Sequence, residues 1–192
     1  MRVTLASASP RRRELLSLLL REFDCFSADI DETPRPYEAP DNYVLRMAIE
    51  KAAAVNSEQG AVIGSDTVVV LSGNILQKPT STEDARGMLS ALSGQTHHVM
   101  TAVALMANGD LRTVVSTTKV TFAPLDNAVI DAYLTTDEPW DKAGAYGIQG
   151  LAGSFVRAIE GSYSSVVGLP LCETRELLEG AGIRTRVTAA HA

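Results

Sequence analysis

The run Ala61-Val62-Ile63-Gly64-Ser65-Asp66-Thr67-Val68-Val69-Val70-Leu71 constrains this chain more than any other stretch. Its β-branched residues suit a pleated strand. Apolar side chains fill both alternating sets of positions, the pattern of a central strand covered on both faces. A carboxylate inside such a strand costs several kcal/mol, on the order of a charge-desolvation penalty, unless it is paired or bound to a metal. Asp66 is therefore either an active-site carboxylate or an acid hydrogen-bonded to a neighbouring loop, and the strand alone allows both.

The flanking sequence supplies the layers such a strand needs. Val3 to Ala6 reads as a first strand, and Ser9-Pro10 starts a helix to about Leu20, with Ser9 as N-cap. Phe23 to Phe26 is a second short strand. Residues 29–40 are rich in proline and acid and read as a loop. Asp41 or Asn42 opens a helix to about Val55. After the Asp66 strand, Ser72-Gly73-Asn74 turns the chain into Ile75-Leu76-Gln77, and Thr82 caps a helix ending near Gly94. His98 to Met106 and Leu111 to Phe122 are strands joined at Asn108-Gly109, a hairpin signal. Asp126 to Leu134 is a short helix with Val129, Ile130, Tyr133 and Leu134 on one side. Gly144 to Gly168 is a glycine-rich stretch, and a last helix runs from Pro170 to about Leu178. This order predicts an α/β fold, a mixed β-sheet flanked by helices, as one domain over residues 1–192 with a cleft between two lobes.

With 192 residues, 45% hydrophobic and 21% charged, the chain can bury one substantial core. Its net charge of −6 does not suit non-specific binding to nucleic acid but leaves room for a small anion in a local basic pocket. No apolar stretch is long enough to span a membrane. Arg11, Arg12 and Arg13 fall where a signal peptide needs its apolar core, so a cytoplasmic protein is expected. Cys25 and Cys172 have no metal or redox spacing and read as free buried thiols.

Several residues are out of place for a purely structural role. Arg11, Arg12 and Arg13 oppose the dipole of the first helix, a repulsion that a phosphate bound at its N-terminus would offset. Ser7 and Ser9 add hydroxyl donors there. Lys51 lies on the apolar stripe of Val44, Met47, Ala48 and Val55, where a lysine either snorkels to the rim or reaches a buried anion. Pro79 holds Lys78 extended. With Glu32 and Asp66, these cations make up the chemistry needed for a divalent metal and a polyphosphate. Other signals are absent. Adjacent His97 and His98 point to opposite faces of a strand, His191 lies in the tail, and no Walker P-loop is present.

The chain resembles the Maf family of nucleoside triphosphate pyrophosphatases. The likeness runs from Leu5 to about Leu178 through Leu5-Ala6-Ser7-Ala8-Ser9-Pro10-Arg11-Arg12, Asp31-Glu32, Glu50-Lys51-Ala52, Gly64-Ser65-Asp66-Thr67, Lys78-Pro79, Leu92-Ser93-Gly94 and Val167-Gly168-Leu169-Pro170. It implies a mixed-sheet fold with a deep cleft, often as a homodimer, and cleavage of a nucleoside triphosphate between its α- and β-phosphates. Asp66 would be the proton acceptor, with Ser9, Arg12, Glu32, Lys51 and Lys78 beside it. Glu32 and Asp66 would hold Mg²⁺ or Mn²⁺. Arg11, Thr67 and Gln149, in Tyr146-Gly147-Ile148-Gln149-Gly150, are similar to residues of the dTTP/UTP branch and would face the base. Asp31-Glu32-Thr33-Pro34-Arg35 and Asn42-Tyr43-Val44-Leu45-Arg46 are similar instead to a branch acting on 7-methyl-GTP. A nucleotide-binding regulator of cell division is the non-enzymatic alternative.

Overall fold

The computed structural model describes residues 1–55 and 60–188; His191 lies outside them. The strands are β1 (Val3–Leu5), β2 (Asp24–Cys25), β3 (Ala61–Leu71), β4 (Asn74–Leu76), β5 (Thr96–Ala107), β6 (Asp110–Phe122) and β7 (Val156–Glu160). They form one mixed sheet in the order β2-β1-β3-β5-β6-β7, with β4 paired to β3. The helices are α1 (Pro10–Leu19), α2 (Pro40–Ala53), α3 (Thr82–Leu92), α4 (Asn127–Leu134), α5 (Tyr163–Val167) and α6 (Leu171–Gly180).

Strand β3 is central, as its composition requires. Because side chains alternate across a strand, even-numbered positions face one way and odd-numbered positions the other. Val62, Val68 and Val70 pack with Val44, Met47 and Ala48 of α2. Ala61 and Ile63 pack on the opposite face with Leu15, Leu16 and Leu19 of α1 and Leu178 of α6. A third cluster joins Val69 to Leu89 and Leu92 of α3, Ile130 and Tyr133 of α4, and Phe122, Tyr146 and Phe155.

The two edges of β3 differ. On one side β5 pairs along it from Val62 to Val70 without interruption. On the other, β1 covers only Ala61 to Ile63 and β4 only Val69 to Leu71. The segment between them, which includes Asp66 and Thr67, has no strand partner on that edge. The sheet is open there, and the cleft enters through the gap.

Several expected boundaries shift. Helix α2 starts at Pro40, whose fixed φ suits a first helical position, and not at Asp41 or Asn42. Ser81, not Thr82, caps α3, accepting from the Asp84 amide. Val129 is exposed, although Ile130, Tyr133 and Leu134 of the same helix are buried. The glycine-rich stretch holds both β7 and α5. Cys25 and Cys172 are exposed and free, not buried. Cys25 lies on a two-residue edge strand and Cys172 in the first turn of α6, so neither reaches a core.

Candidate active site

The cleft has a volume of about 600 Å³ and holds Ser9, Arg11, Arg12, Glu32, Lys51, Asp66, Thr67, Lys78 and Gln149 on its walls. They come from distant parts of the chain, and the sheet gap brings them together. Asp66 is an even-numbered position of β3 and points towards α2, where Lys51 lies buried. The Lys51 Nζ donates to Asp66 Oδ1 at 2.7 Å and pairs with Glu32 Oε1, also at 2.7 Å. Lys51 thus reaches the buried Asp66 and the half-exposed Glu32 rather than the rim.

The two carboxylate oxygens each touch the same ammonium, so they lie within twice that distance of each other. Two such carboxylates, with space beside them for water and phosphate oxygens, fit the usual surroundings of Mg²⁺, which takes few protein ligands and keeps several waters. Among the described residues there is no cluster of three or more acidic, His or Cys side chains arranged as a metal cage. A metal here would therefore share its coordination with substrate and water.

Burial alone would raise the Glu32 carboxyl's pKa. The Lys51 bond and the charges of Lys51, Lys78 and Arg12 outweigh it, leaving the pKa below the usual value. Glu32 is fixed by its backbone as well as its charge. The Tyr43 hydroxyl donates to the Glu32 carbonyl at 2.8 Å. Further along the loop, Glu38 takes a two-pronged bond from Arg46 of α2 at 2.6 Å per contact, and Arg46 also donates to the Thr33 carbonyl. The Arg46 bond leads the causes that bring the Glu38 carboxyl down to about 2. A loop without regular structure is thereby tied to a helix that itself carries Lys51.

The odd-numbered face of β3 serves Arg12. Arg12 folds back from the first turn of α1 and donates from Nε to the Gly168 carbonyl at 2.9 Å and from Nη2 to Thr67 Oγ1 at 3.1 Å. Desolvation lowers its pKa, against the raising influence of Asp66. Thr67 and Thr101 hydroxyls lie 2.9 Å apart, and Thr101 donates to the Ser165 carbonyl at 2.7 Å. Thr101's proton is thus used, so Thr67 donates to Thr101 and accepts from Arg12. Thr67 lines the cleft with its hydroxyl already committed. Ser7 differs from expectation. It is buried behind Arg12, accepting from Arg12 Nη1 at 3.4 Å and from the Ser9 amide at 3.2 Å, and is not on the cleft wall. Ser7 lies in the connection between β1 and α1, and its hydroxyl steadies Arg12 and the Ser9 amide.

Arg11 reaches across the cleft mouth to Asp141 Oδ2 at 3.2 Å. Lys142 binds the other oxygen of Asp141 and the Glu138 carbonyl. Glu138, Asp141, Lys142, Tyr43 and Tyr146 also line the cleft. Sequence reasoning gave none of them a role. Tyr43 and Tyr146 were visible only as parts of motifs, and Glu138 carries no local signal at all.

The fold and the cleft together define a mixed-sheet α/β protein whose cleft sets several cations beside two carboxylates. Two solved structures share this fold. The Staphylococcus aureus Ham1 protein aligns with a TM-score of 0.56 at 15% identity, covering 94% of this chain and 99% of that one. A HAM1 protein from Coxiella burnetii gives 0.52 at 14%, covering 94% and 100%. The chain belongs to the Maf-like protein family, whose model matches residues 2–181. Relatives named dTTP/UTP pyrophosphatase include one from Hahella chejuensis, 53% identical over 95% of this chain and 94% of its own length. Others are from Shewanella oneidensis, 52% identical over 95% and 100%, and Yersinia pestis, 50% identical over 97% and 96%. No helix among the described residues is long and apolar enough to cross a membrane.

Proposed function

We propose that this protein hydrolyses dTTP and UTP to the nucleoside monophosphate and pyrophosphate. The observation that carries the chemistry is the meeting of Glu32 and Asp66 on Lys51, with Arg12 and Lys78 in the same cleft. Glu32 and Asp66 would hold Mg²⁺ or Mn²⁺, which when bound supplies charge screening and a more acidic water. Lys51 occupies Asp66 Oδ1, and no protein donor among the described residues bonds to Oδ2. That oxygen would take the proton as water attacks the α-phosphorus, and Oδ1 keeps a second lone pair beside the Lys51 bond for the metal. The bond from the α-phosphorus to the bridging oxygen breaks, and its electron pair leaves with pyrophosphate. Arg12, Lys51 and Lys78 stabilise the charge on the departing phosphates.

Base choice is supported by where the two conflicting motifs lie. Gln149 and Arg11 line the cleft. Of the segments similar to the 7-methyl-GTP branch, Thr33-Pro34-Arg35 lies off the cleft, with the Thr33 carbonyl bound by Arg46 and Arg35 paired with Glu50 of α2, whereas Glu32 and Tyr43 line it. A glutamine amide both donates and accepts, matching the O4 acceptor and N3–H donor shared by thymine and uracil. The relatives' names point the same way. The same reading takes the protein as cytoplasmic, on the sequence, and as a homodimer, carried over from the family resemblance.

The test is hydrolysis of dTTP, UTP, CTP, 7-methyl-GTP and ITP with Mg²⁺, with Mn²⁺ and with chelator, scoring pyrophosphate against orthophosphate. Metal-dependent pyrophosphate release, fastest with dTTP and UTP, is expected. Orthophosphate as the primary product would overturn the chemistry. A higher kcat/KM for 7-methyl-GTP would overturn the base assignment. Binding without turnover would leave the protein a nucleotide-responsive regulator of cell division.

A further inference from the structure

Gln149 sits in a loop that does little to hold itself in place. Its backbone makes two local turns, Gly150 N–H to the Gly147 carbonyl at 3.1 Å and Gly153 N–H to the Gly150 carbonyl at 3.0 Å. The next residues, Leu151–Phe155, form a short 3-10 turn with no capping side chain from its own neighbours. The free amides at the start of that turn need acceptors. They find them in Glu138, distant in sequence. Glu138 Oε2 accepts from the Leu151 amide at 2.7 Å, and Oε1 accepts from the Ala152 amide at 3.1 Å and from the Tyr133 hydroxyl at 3.0 Å.

The glycines of the loop fit around this carboxylate. A Cβ on Gly150 would lie 2.2 Å from Glu138 Oε2, and one on Gly147 would lie 2.7 Å from Cε of Lys142. Neither glycine has a positive φ, so neither is required by turn geometry. Their Cβ positions are taken by the ends of the Glu138 and Lys142 side chains, on which the backbone closes. Lys142 in turn donates to the Glu138 carbonyl at 2.7 Å, which ties the two together.

We propose that Glu138 is the positioning residue for base selection: its carboxylate holds the Gly147–Ala152 loop so that the Gln149 amide faces the base. The inference rests on the assignment of Gln149 to the base and adds what fixes it. Glu138 takes no part in the phosphate chemistry, which lies with Asp66, Lys51 and Arg12. Loss of its grip therefore acts on recognition of the base and leaves the pyrophosphate end of the substrate undisturbed.

The experiment uses the full-length protein with Mg²⁺ and compares Glu138→Gln, Gly150→Ala and Tyr133→Phe with wild type. Steady-state kinetics are taken on dTTP, UTP, CTP and 7-methyl-GTP, with inhibition by inorganic pyrophosphate as a probe of the phosphate end. Gln keeps the shape but offers one acceptor oxygen where Glu offers two. The expected result is a KM for the preferred nucleotide raised about tenfold, with selectivity over CTP lowered by a similar factor, the worth of one or two hydrogen bonds. The inhibition constant of pyrophosphate should stay within about twofold of wild type, since it makes no base contact. Gly150→Ala should reproduce the pattern by pushing the loop off the carboxylate. Tyr133→Phe, which removes one of three partners, should show it more weakly.

Unchanged selectivity in the variants that fold would overturn the proposal. So would equal losses on every nucleotide together with weakened pyrophosphate inhibition, which is what a general structural fault produces. If Glu138→Gln does not fold, the other two variants carry the same comparison. A wild-type enzyme preferring another base would fail the dTTP/UTP reading alone, and the variants would then be scored on that base.

Discussion

Mild acid should destabilise this protein through His97, and the structure sets the size of the effect. His97 is fully buried. Its Nε2 pairs with the Tyr146 hydroxyl at 2.8 Å, while Nδ1 has no partner. Phe122 and Tyr146 meet the ring edge-on at centroid distances of 5.0 and 5.5 Å. Burial, assisted by His98, pushes its pKa down from 6.5 to about 4. Between those values the unfolded chain binds a proton that the folded chain refuses. Stability from neutral His97 is therefore fully present above 6.5 and is lost as pH falls towards 4. With these pKa values, the loss between pH 7 and pH 5 is about 2 kcal/mol, a large part of a typical folding free energy. Gln in its place cannot titrate and can still bond Tyr146. Urea unfolding followed by circular dichroism at both pH values should show wild type losing about 2 kcal/mol more than His97→Gln. Equal losses would refute the argument, because the other titrating groups are common to both proteins. Tyr146 adjoins Gly147, so protonation of His97 should also disturb the Gln149 loop before global unfolding.

Asp66→Asn should lower turnover by about 10²–10⁴-fold while the fold, checked by circular dichroism, stays intact; near wild-type kcat would remove Asp66 from the mechanism. Glu38→Gln should loosen the loop that carries Glu32, raising the Mg²⁺ concentration needed for half-maximal rate more than it lowers the melting temperature. An unaltered Mg²⁺ titration would show that the Arg46 clamp has no bearing on Glu32. Gly64→Ala places a Cβ 2.0 Å from the Ala48 carbonyl oxygen, and the forced backbone shift should cost about 1–3 kcal/mol of stability, measured by urea unfolding.

The legible parts of this protein are those where one physical requirement dominates. Strand β3 announces itself because a strand buried on both faces has no polar alternation to blur it. Asp66 and Lys51 stand out because a charge in an apolar strand or on an apolar helix stripe demands a partner, and each is the other's partner. Strand β7 was hidden for the converse reason. Its side chains from Arg157 to Glu160 are exposed, so only backbone pairing with β6 defines it, and pairing leaves no trace in composition. Glu138 was hidden because its partners are backbone amides in a loop remote in sequence. Ser7 was misplaced for a related reason: a hydroxyl next to a basic turn looks the same whether it faces a ligand or steadies an arginine.

The spacing between the two strongest motifs also has a physical cause. Lys51 can touch Asp66 only if α2 comes close to β3, and a helix lying on a sheet is normally held off by side chains. Gly64 removes that obstacle. Its missing Cβ is the space occupied by the Ala48 carbonyl and by Ala52, whose Cβ would lie 3.0 Å away. Ala48 and Ala52 are themselves small and buried. They sit one helical turn apart on the face that meets the strand. Lys51, next to Ala52, is thereby delivered beside Asp66, two residues on from Gly64 on the same face of the strand. The Glu50-Lys51-Ala52 and Gly64-Ser65-Asp66-Thr67 motifs are thus the two halves of one contact. The small residues set the separation of helix and strand, and the charged residues use it.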